Sequence, residues 1–501
     1  MTQTSPGEGP PGPAPQSGWR NWLTIAGAIL ASGSLFAFFL LLALDLMGKG
    51  RGNPYLGILC YVVAPSFLAF GLAVAAVGFV RRRRELARLR GLGQAMPIEI
   101  DLSRSRDRTI LKVFIGGACV YLVLTAFGSY QTYLYTESDS FCGEVCHSVM
   151  GPELTAYRRN AHARVACVDC HVGEGAKSYI SAKINGVHQL VDITLNRFPR
   201  PIPTPIHNLR PARETCERCH WPEKRTGDLE RIQHRYLADA TNSPYSVTLL
   251  LKVGGGGTVH GVPGGIHWHT NPDSKVEYLA TDPQRQVIPW MRVTEKGGRV
   301  TVYRTKAFKG EPDPAALRTM DCLDCHNRPA HRFSTPNDAV DEALYLGRMD
   351  VSLPSIKKTA VDLLTQTYAT SAQARDQIAA GLRKKYGAAK GVDGTIEAVQ
   401  AVYRHNFFPE MKADWSQYPE NIGHMDTAGC FRCHDEKHVA EGGAKMPATD
   451  CDSCHVILAQ GAGAELTQLS TGGVAFKHPS TDIEGLGLTC SDCHNGKNQD
   501  N

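Results

Sequence analysis

A short signature, two cysteines followed directly by a histidine, occurs seven times in this 501-residue chain and uses 14 of its 16 cysteines. Six copies have the spacing C-x-x-C-H, and the first has one additional residue between its cysteines. In chain order the copies are Cys142/Cys146/His147, Cys167/Cys170/His171, Cys216/Cys219/His220, Cys322/Cys325/His326, Cys430/Cys433/His434, Cys451/Cys454/His455 and Cys490/Cys493/His494. In such a signature the thiols form thioether bonds to the vinyl groups of a haem, and the adjacent imidazole binds the iron. One copy is also compatible with a redox dithiol or half of a zinc site, but seven predict a c-type cytochrome with seven covalent haems.

The signatures also predict the compartment, because c-type haem is attached outside the bacterial cytoplasm and everything from Cys142 onward must then be exported. Three apolar segments near the N-terminus are each long enough to cross a hydrocarbon core of about 30 Å. They cover residues 22–47, 55–80 and 110 to about 130. The first is too long for a cleaved signal peptide, and its leader is rich in Pro and Gly rather than basic residues. It is therefore predicted to be a retained membrane anchor.

Basic residues predict the orientation of these spans. The first connection carries only Lys49 and Arg51, whereas nine arginines crowd the second: Arg81, Arg82, Arg83, Arg84, Arg88, Arg90, Arg104, Arg106 and Arg108. Because basic residues collect on the cytoplasmic side, the second connection and the N-terminus are predicted to be cytoplasmic. The haem region is then periplasmic and the protein belongs in the bacterial inner membrane, as haem attachment independently requires. Cys60 and Cys119 lie within spans and are predicted to be buried small hydrophobic residues.

Net charge does not predict a nucleic-acid partner. The apoprotein has a formal charge of +5 and a pI near 8.4. Seven haems would add about 14 propionate carboxylates and make the net charge of the holoprotein negative. The predicted partners are the lipid bilayer, the membrane quinol pool and other redox proteins.

The predicted fold class is a multihaem cytochrome c that is mostly α-helical or irregular around its haems, with three N-terminal transmembrane helices and a small β-rich insertion. The predicted regions are a disordered cytoplasmic tail (1–21), a membrane anchor (22–130), a three-haem region (131–220), the β-rich insertion (221–321), a fourth haem with a helical segment (322–420) and a trihaem region (421–501). Alternation predicts strands at 246–253, 276–280, 287–293 and 299–304. Helices are predicted at 337–349, with Thr335 or Asn337 as the cap, and at 372–386.

The second axial ligand decides what each haem can do, because a closed iron carries electrons and an open one binds substrate. Seven of the 19 histidines belong to signatures, which leaves 12 as candidates. Those predicted as second ligands from their closeness to a signature are His162, His331, His424, His438 and His478. His267 and His269 are predicted on one face of a strand, so that one ligates and the other forms a hydrogen bond. His207, His234 and His260 could equally be ligands or ordinary polar residues.

Around the first two signatures the chain resembles a known family. The run from Glu137 to Met150, followed by Tyr157, His162 and the second signature, is similar to the start of the NapC/NirT/NrfH membrane-bound quinol dehydrogenases. The clear resemblance covers about residues 109–220, with Cys322 at the fourth haem. With seven signatures and a membrane part, the whole chain more closely resembles the heptahaem inner-membrane cytochromes of metal-reducing bacteria. It differs from the short family in having three spans, a stretched first signature and a C-terminal trihaem part.

This resemblance implies that menaquinol in the outer leaflet gives two electrons to the first haem, with proton release to the periplasm. The remaining haems then pass electrons to a periplasmic c-type cytochrome or a reductase, in anaerobic or extracellular respiration. The family implies that His162 serves a haem other than its neighbour, and that either His147 or Met150 binds the first iron. It places the proton acceptor between residues 177 and 192, where the candidates are Lys183, His188 and Asp192. Asp45, at the outer end of the first span, is a further candidate.

Two other functions are considered. A relay subunit would take electrons from another membrane protein and have no quinol site of its own; menaquinol oxidation by the purified protein distinguishes the two. A terminal reductase for nitrite or a related oxyanion needs an open haem, commonly signalled by C-x-x-C-K, and that motif does not occur in the sequence.

Overall fold

The computed structural model describes residues 21–47, 59–89, 102–145, 147–173, 175–205, 211–221, 227–254, 265–446, 451–480 and 489–495. The chain divides into two compact units, Met1–Val145 and Cys146–Asn501. The first signature lies across this boundary. The predicted N-terminal tail falls outside the described residues, apart from Asn21.

The first unit contains three helices that are long and apolar enough to cross a membrane. They are α1 (Trp22–Met47), α2 (Ala64–Leu89), which follows a π-helical turn at Leu59–Val63, and α3 (Ser105–Thr136). Small residues let α1 and α2 approach closely: a Cβ added at Gly27 would lie 2.3 Å from the backbone nitrogen of Ala75. Close backbone approach through small residues is typical of helix pairs in lipid.

The two cysteines within the spans have different surroundings. Cys60 is fully buried, and its thiol lies 3.6 Å from the carbonyl oxygen of Phe38. Cys119 is exposed on α3. The prediction that both are buried is therefore wrong for Cys119, because α3 is apolar around most of its circumference and turns that residue outward.

In the second unit, the chain around the second and third signatures forms helices with little apolar core, three of which are short. These are α4 (His147–Tyr157), α5 (Cys167–His171), the 19-residue α6 (Ala176–Thr194) and α7 (Ala212–Cys216). A small buried cluster joins Val149 and Ala156 of α4 to Phe333, Met411 and Tyr418. Segments this short cannot bury enough apolar surface on their own, which fits a region organised around a bound group.

Two antiparallel sheets follow. Their strands are β1 (Leu229–Tyr236), β2 (Pro244–Leu251), β3 (Lys275–Leu279), β4 (Trp290–Thr294), β5 (Val300–Arg304), β6 (Arg318–Thr319), β7 (Val439–Ala440) and β8 (His455–Gly461). One sheet has the order β1-β2-β8 and the other β6-β3-β4-β5-β7. The predicted strands correspond to β2, β3, β4 and β5. The insertion at 221–321 is not closed on itself, however, because β7 and β8 come from the C-terminal region and pair with β5 and β2.

The helical segment contains the largest buried apolar cluster among the described residues. After the short helix α8 (Cys322–Cys325) come α9 (Pro336–Tyr345), α10 (Ile356–Leu364), α11 (Ser371–Tyr386) and α12 (Val392–Asn406). Thr335 caps α9, its hydroxyl accepting from the Asp338 amide at 3.2 Å. The helix ends four residues before the predicted Met349, because Gly347 adopts a φ of +64° that stops it. The last short helix, α13 (Cys490–Cys493), carries the seventh signature.

Candidate haem-binding sites

Six of the seven signature histidines face a second histidine at a nearly constant separation. The distances between ring centroids are 6.2 Å for His171–His331, 5.9 Å for His220–His162, 6.4 Å for His326–His267, 5.9 Å for His434–His269, 6.2 Å for His455–His424 and 6.4 Å for His494–His478. Two imidazoles that bind opposite faces of one iron through Fe–N bonds of about 2.0 Å have centroids about 6.3 Å apart. The six pairs therefore have the spacing that a haem iron with two histidine ligands requires.

Hydrogen bonds at Nδ1 orient many of these rings. Nδ1–H donates to a backbone carbonyl in His162 (Pro329, 2.9 Å), His269 (Ile266, 2.8 Å), His331 (Glu153, 3.2 Å), His494 (Met425, 2.9 Å) and His267 (Val253). This bond fixes the tautomer in which Nε2 carries the lone pair, as in most metal-binding histidines. The pattern fits axial ligation through Nε2.

Burial keeps several of these imidazoles neutral. It lowers the pKa of His424 to about 4, and it lowers the pKa values of His331 and His455 as well. A neutral imidazole is the form that binds iron. Moreover, the buried Nδ1 atoms of His424 and His455 have no hydrogen-bond partner in the part of the chain that the structure describes. Among the described residues these two rings therefore lack the Nδ1 hydrogen bond that orients many of the others.

His438 does not fit the predicted role of axial ligand. Its ring is almost fully buried, and both nitrogens already have partners: Nδ1 donates to Asp435 Oδ1 at 2.7 Å, and Nε2 donates to the Ile288 carbonyl at 2.6 Å. Burial alone would lower the pKa of His438, but the bond to the Asp435 carboxylate outweighs it and raises that pKa. Two donating nitrogens leave no lone pair for a metal. His438 instead connects the loop after the fifth signature to the segment before β4.

His267 and His269 also differ from the prediction. They lie in a 3₁₀ turn (Ile266–Thr270) and not on a strand, and each faces a different signature histidine. His234 stacks on Tyr345 with a centroid separation of 3.7 Å, and Ser246 Oγ lies 3.1 Å from its Nδ1. His234 is thus placed as a packing residue, whereas His207 and His260 lie outside the described residues.

The first signature is described only in part. Cys142 lies in the π-helical turn Phe141–Val145, which begins five residues after α3 ends at Thr136. Cys146 and the side chain of His147 lie outside the described residues. Met150 is half-buried on the first turn of α4. The choice between His147 and Met150 as a ligand stays a prediction.

The three candidate proton acceptors share helix α6 but do not form one cluster. His188 and Asp192 are exposed one turn apart, and Lys183 is half-buried, with its ammonium 4.9 Å from the ring centroid of Tyr179. The same helix and the residue that follows it expose a run of apolar side chains: Ile180, Ile184, Val187, Leu190, Val191 and Leu195. The side chain of Asp45 lies outside the described residues.

The attachment cysteines of successive signatures lie close to one another. The thiols of Cys216 and Cys322 are hydrogen-bonded, which joins the third signature to the fourth. Burial, followed by the Asp169 carboxylate and then the thiol of Cys219, raises the pKa of Cys170, and the contribution of Cys219 places the second signature beside the third. Burial, followed by the nearby thiol of Cys430, raises the pKa of Cys325, which places the fourth signature beside the fifth. The second to fifth sites therefore form a contiguous series.

The attachment loop of the sixth signature lies beside the β-rich insertion. Cys454 belongs to the predicted trihaem region 421–501, and its carbonyl accepts from the Lys252 amide at 2.9 Å. Lys252 Nζ also donates to the carbonyl of Asp452, between the two cysteines. Cys451 is exposed and Cys454 is half-buried beside the start of β8. The end of β2 therefore holds the sixth attachment loop, and haem attachment at Cys451 and Cys454 stays a prediction.

The sixth and seventh sites are joined through a different contact. His494 of the seventh signature donates to the carbonyl of Met425, the residue after His424, which faces the sixth signature. Cys430 of the fifth signature lies a short distance along the chain from His424, and the Cys430 amide donates to the Gly423 carbonyl at 2.8 Å. Segment 423–430 thus connects the last three sites.

Comparisons with known proteins also indicate a c-type cytochrome. Residues 104–201 match the N-terminal region of the NapC/NirT cytochrome c family. The cytochrome c-type protein ImcH of Geobacter sulfurreducens is 37% identical over 485 residues, covering 93% of this chain and 93% of ImcH. No solved structure matches. With its apolar N-terminal helices and repeated haem signatures, the chain belongs to the same family of multihaem c-type cytochromes as ImcH, and its membrane-proximal haem region is a NapC/NirT domain.

Proposed function

We propose that this protein is a heptahaem quinol dehydrogenase of the bacterial inner membrane. It oxidises menaquinol at the first haem site and passes the electrons through the other six sites to a periplasmic cytochrome or reductase. The N-terminus and the arginine-rich connection between α2 and α3 lie in the cytoplasm, and the haem region lies in the periplasm. The observation that carries the proposal is the pairing of six signature histidines with second histidines at 5.9–6.4 Å.

Such pairing favours electron transfer over substrate chemistry. When bound, a haem between two imidazoles supplies one-electron chemistry at iron and has no open coordination position. All of the second histidines except His424 have a hydrogen bond at Nδ1, so at those five sites an oxyanion would have to displace a well-anchored ligand. This counts against a terminal reductase that acts at any of these five sites.

The contiguous series of sites supports conduction along the chain. Contacts between attachment cysteines join the second to fifth signatures, and segment 423–430 joins the fifth to the last two. The signature closest in sequence to the membrane spans is the first, which follows α3 almost directly. A quinol confined to the bilayer is expected to deliver electrons there.

Quinol oxidation releases two electrons and two protons, so a proton acceptor is needed beside the quinol. Lys183, His188 and Asp192 of α6 are proposed for this role. They alternate with exposed apolar residues, a combination that suits an amphipathic substrate with a polar head and an isoprenoid tail. A carboxylate or a neutral imidazole accepts a proton near neutral pH, whereas a lysine would position the quinol oxygen.

The deciding experiment is anaerobic reduction of the purified protein in lipid nanodiscs by a menaquinol analogue, followed in the haem absorption bands. We expect complete reduction, and slower reduction in His188→Gln and Asp192→Asn, with unchanged reduction by dithionite. Gln189→Ala, a polar residue on the same exposed helix, is the matched control. A protein that dithionite reduces and menaquinol does not would favour the relay function, in which another membrane protein supplies the electrons.

A further inference from the structure

Signatures four and five are tied together by one arginine. Arg432 stands between the two cysteines of the fifth signature, and its Nη2 donates to the carbonyl of Asp324 at 2.8 Å. Asp324 has the corresponding position between the cysteines of the fourth signature. The other donors of Arg432 bind the carbonyls of Arg285 (Nη1, 2.9 Å) and Gly429 (Nε, 2.8 Å). A guanidinium is planar and rigid, so bonds in three directions fix the two attachment loops relative to each other.

The fourth loop is also anchored from its other side. The Asp324 side chain is 2% exposed, and its carboxylate accepts from Tyr278 (2.6 Å), Arg318 (2.7 Å) and Arg285 (3.0 Å). It also accepts from the amide of Asp321 at 2.7 Å, which closes a capping box around α8. A buried carboxylate with this many donors is strongly held. The Asp324 carbonyl that accepts from Arg432 therefore belongs to a rigidly held loop.

The histidines opposite these two signatures come from one short turn. His267 faces His326 and His269 faces His434, and only one residue separates them in the turn Ile266–Thr270. The His267 amide donates to the Gly254 carbonyl at 3.1 Å, which attaches the turn to the end of β2. The two histidine pairs are thus adjacent at both ends: at the attachment loops through Arg432 and at the opposite ligands through this turn.

We propose that the fourth and fifth signatures, together with Ile266–Thr270, form a single cradle for two haems, in which Arg432 is the positioning residue that sets their mutual placement. This inference rests on the proposed occupancy of both sites by haem. Because both ends of the two histidine pairs are neighbours, these residues would hold the two haems next to each other. The two haems then behave as an electronically coupled pair and not as independent carriers.

Coupling between neighbouring haems is measured by the exciton couplet in the Soret circular dichroism of the reduced protein. Two variants lack one haem each: Cys322→Ala/Cys325→Ala lacks the fourth and Cys430→Ala/Cys433→Ala lacks the fifth. The component of the couplet that is missing in both variants belongs to the pair. Arg432→Gln is expected to keep seven haems and to reduce this component to about half or less. Arg218→Gln is the matched control, because Arg218 has the same position between the cysteines of the third signature. It should leave the component unchanged.

An unchanged component in Arg432→Gln with seven haems would show that Arg432 does not set the placement. If Arg432→Gln loses haem, Arg432→Lys is the second test, because lysine keeps the positive charge but lacks the planar guanidinium that donates in three directions. The same decrease of the shared component is expected in Arg432→Lys. An unchanged component in that variant would overturn the inference. The absence of any shared component in the parent protein would refute the pair. Unmodified peptides at residues 322–326 or 430–434 in the parent protein would instead refute haem occupancy, and with it the proposed function.

Discussion

Glu153 offers a direct test of how the chain tunes one haem. Its carboxylate lies 3.2 Å from Nδ1 of His331, which faces the second signature, and 3.0 Å from Arg328 Nη2. An iron bound at Nε2 of His331 would be about 7 Å from this carboxylate, given an Fe–N bond of about 2.0 Å. The negative charge favours ferric iron, so Glu153→Gln is expected to raise the potential of this haem.

The size of the shift follows from Coulomb's law. At an effective dielectric constant of about 20, one charge at about 7 Å is worth about 2 kcal/mol, or about 100 mV for one electron. Arg328 offsets part of this, because its opposite charge lies beside the carboxylate, and the expected net rise is about 30–60 mV. Glutamine preserves the volume, and the backbone carbonyl of residue 153 still accepts from His331 Nδ1. The ligand should therefore stay in place.

The measurement is a potentiometric titration of the purified protein followed by low-temperature electron paramagnetic resonance, in which low-spin haems with different ligand fields are resolved. One component should move upward in Glu153→Gln and none in Glu397→Gln, an exposed carboxylate on α12. A downward shift, or no shift with all haems retained, would refute the assignment of His331 to the second haem or the electrostatic reasoning.

Three further outcomes are expected. The pyridine haemochrome assay should give seven haems per chain, and mass spectrometry should find haem on the peptide from Cys142 to His147; five or fewer haems would contradict the sequence reasoning. His424→Ala should convert one haem to a high-spin form visible in the absorption spectrum, whereas His438→Ala should leave the spin state of every haem unchanged and only destabilise the fold. Reporter fusions at residue 95 should be active only with a cytoplasmic reporter, and periplasmic labelling there would reverse the predicted orientation.

Much of the candidate haem sites could be predicted from residues that are close together in the sequence. The signatures identify the attachment cysteines and the first axial histidine without reference to the fold, because haem attachment needs those residues within a few positions of one another. Four histidines chosen for closeness to a signature, His162, His331, His424 and His478, do face signature histidines. Their partners were predictable only in part, since His478 faces the signature nearest to it, whereas His331 faces the second signature and His424 the sixth. That choice depends on how distant segments cross, which spacing does not encode.

Some predictions from sequence spacing were wrong because local interactions place those histidines differently. His438 is as close to a signature as the others, but Asp435 lies three residues before it and takes its Nδ1. His267 and His269 were predicted on a strand from alternation, yet Gly265, with a φ of +108°, precedes a 3₁₀ turn. The strands themselves were predictable, but their long-range partners β7 and β8 were not. The bond from Lys252 to Cys454 was hidden for the same reason, because it joins segments that are far apart in the sequence.

The origin of those two strands bears on how the protein is assembled. β2 and β5 belong to the middle of the chain, and their outer neighbours arrive only with the last part of it. A strand edge without a neighbour is a site for unwanted pairing between chains. If the haem region is exported as proposed, the middle segment must therefore wait, with its edges open, until the C-terminal signatures have also been exported. Shortening the protein by removing its final signatures is thus expected to yield an aggregating chain and not a smaller cytochrome.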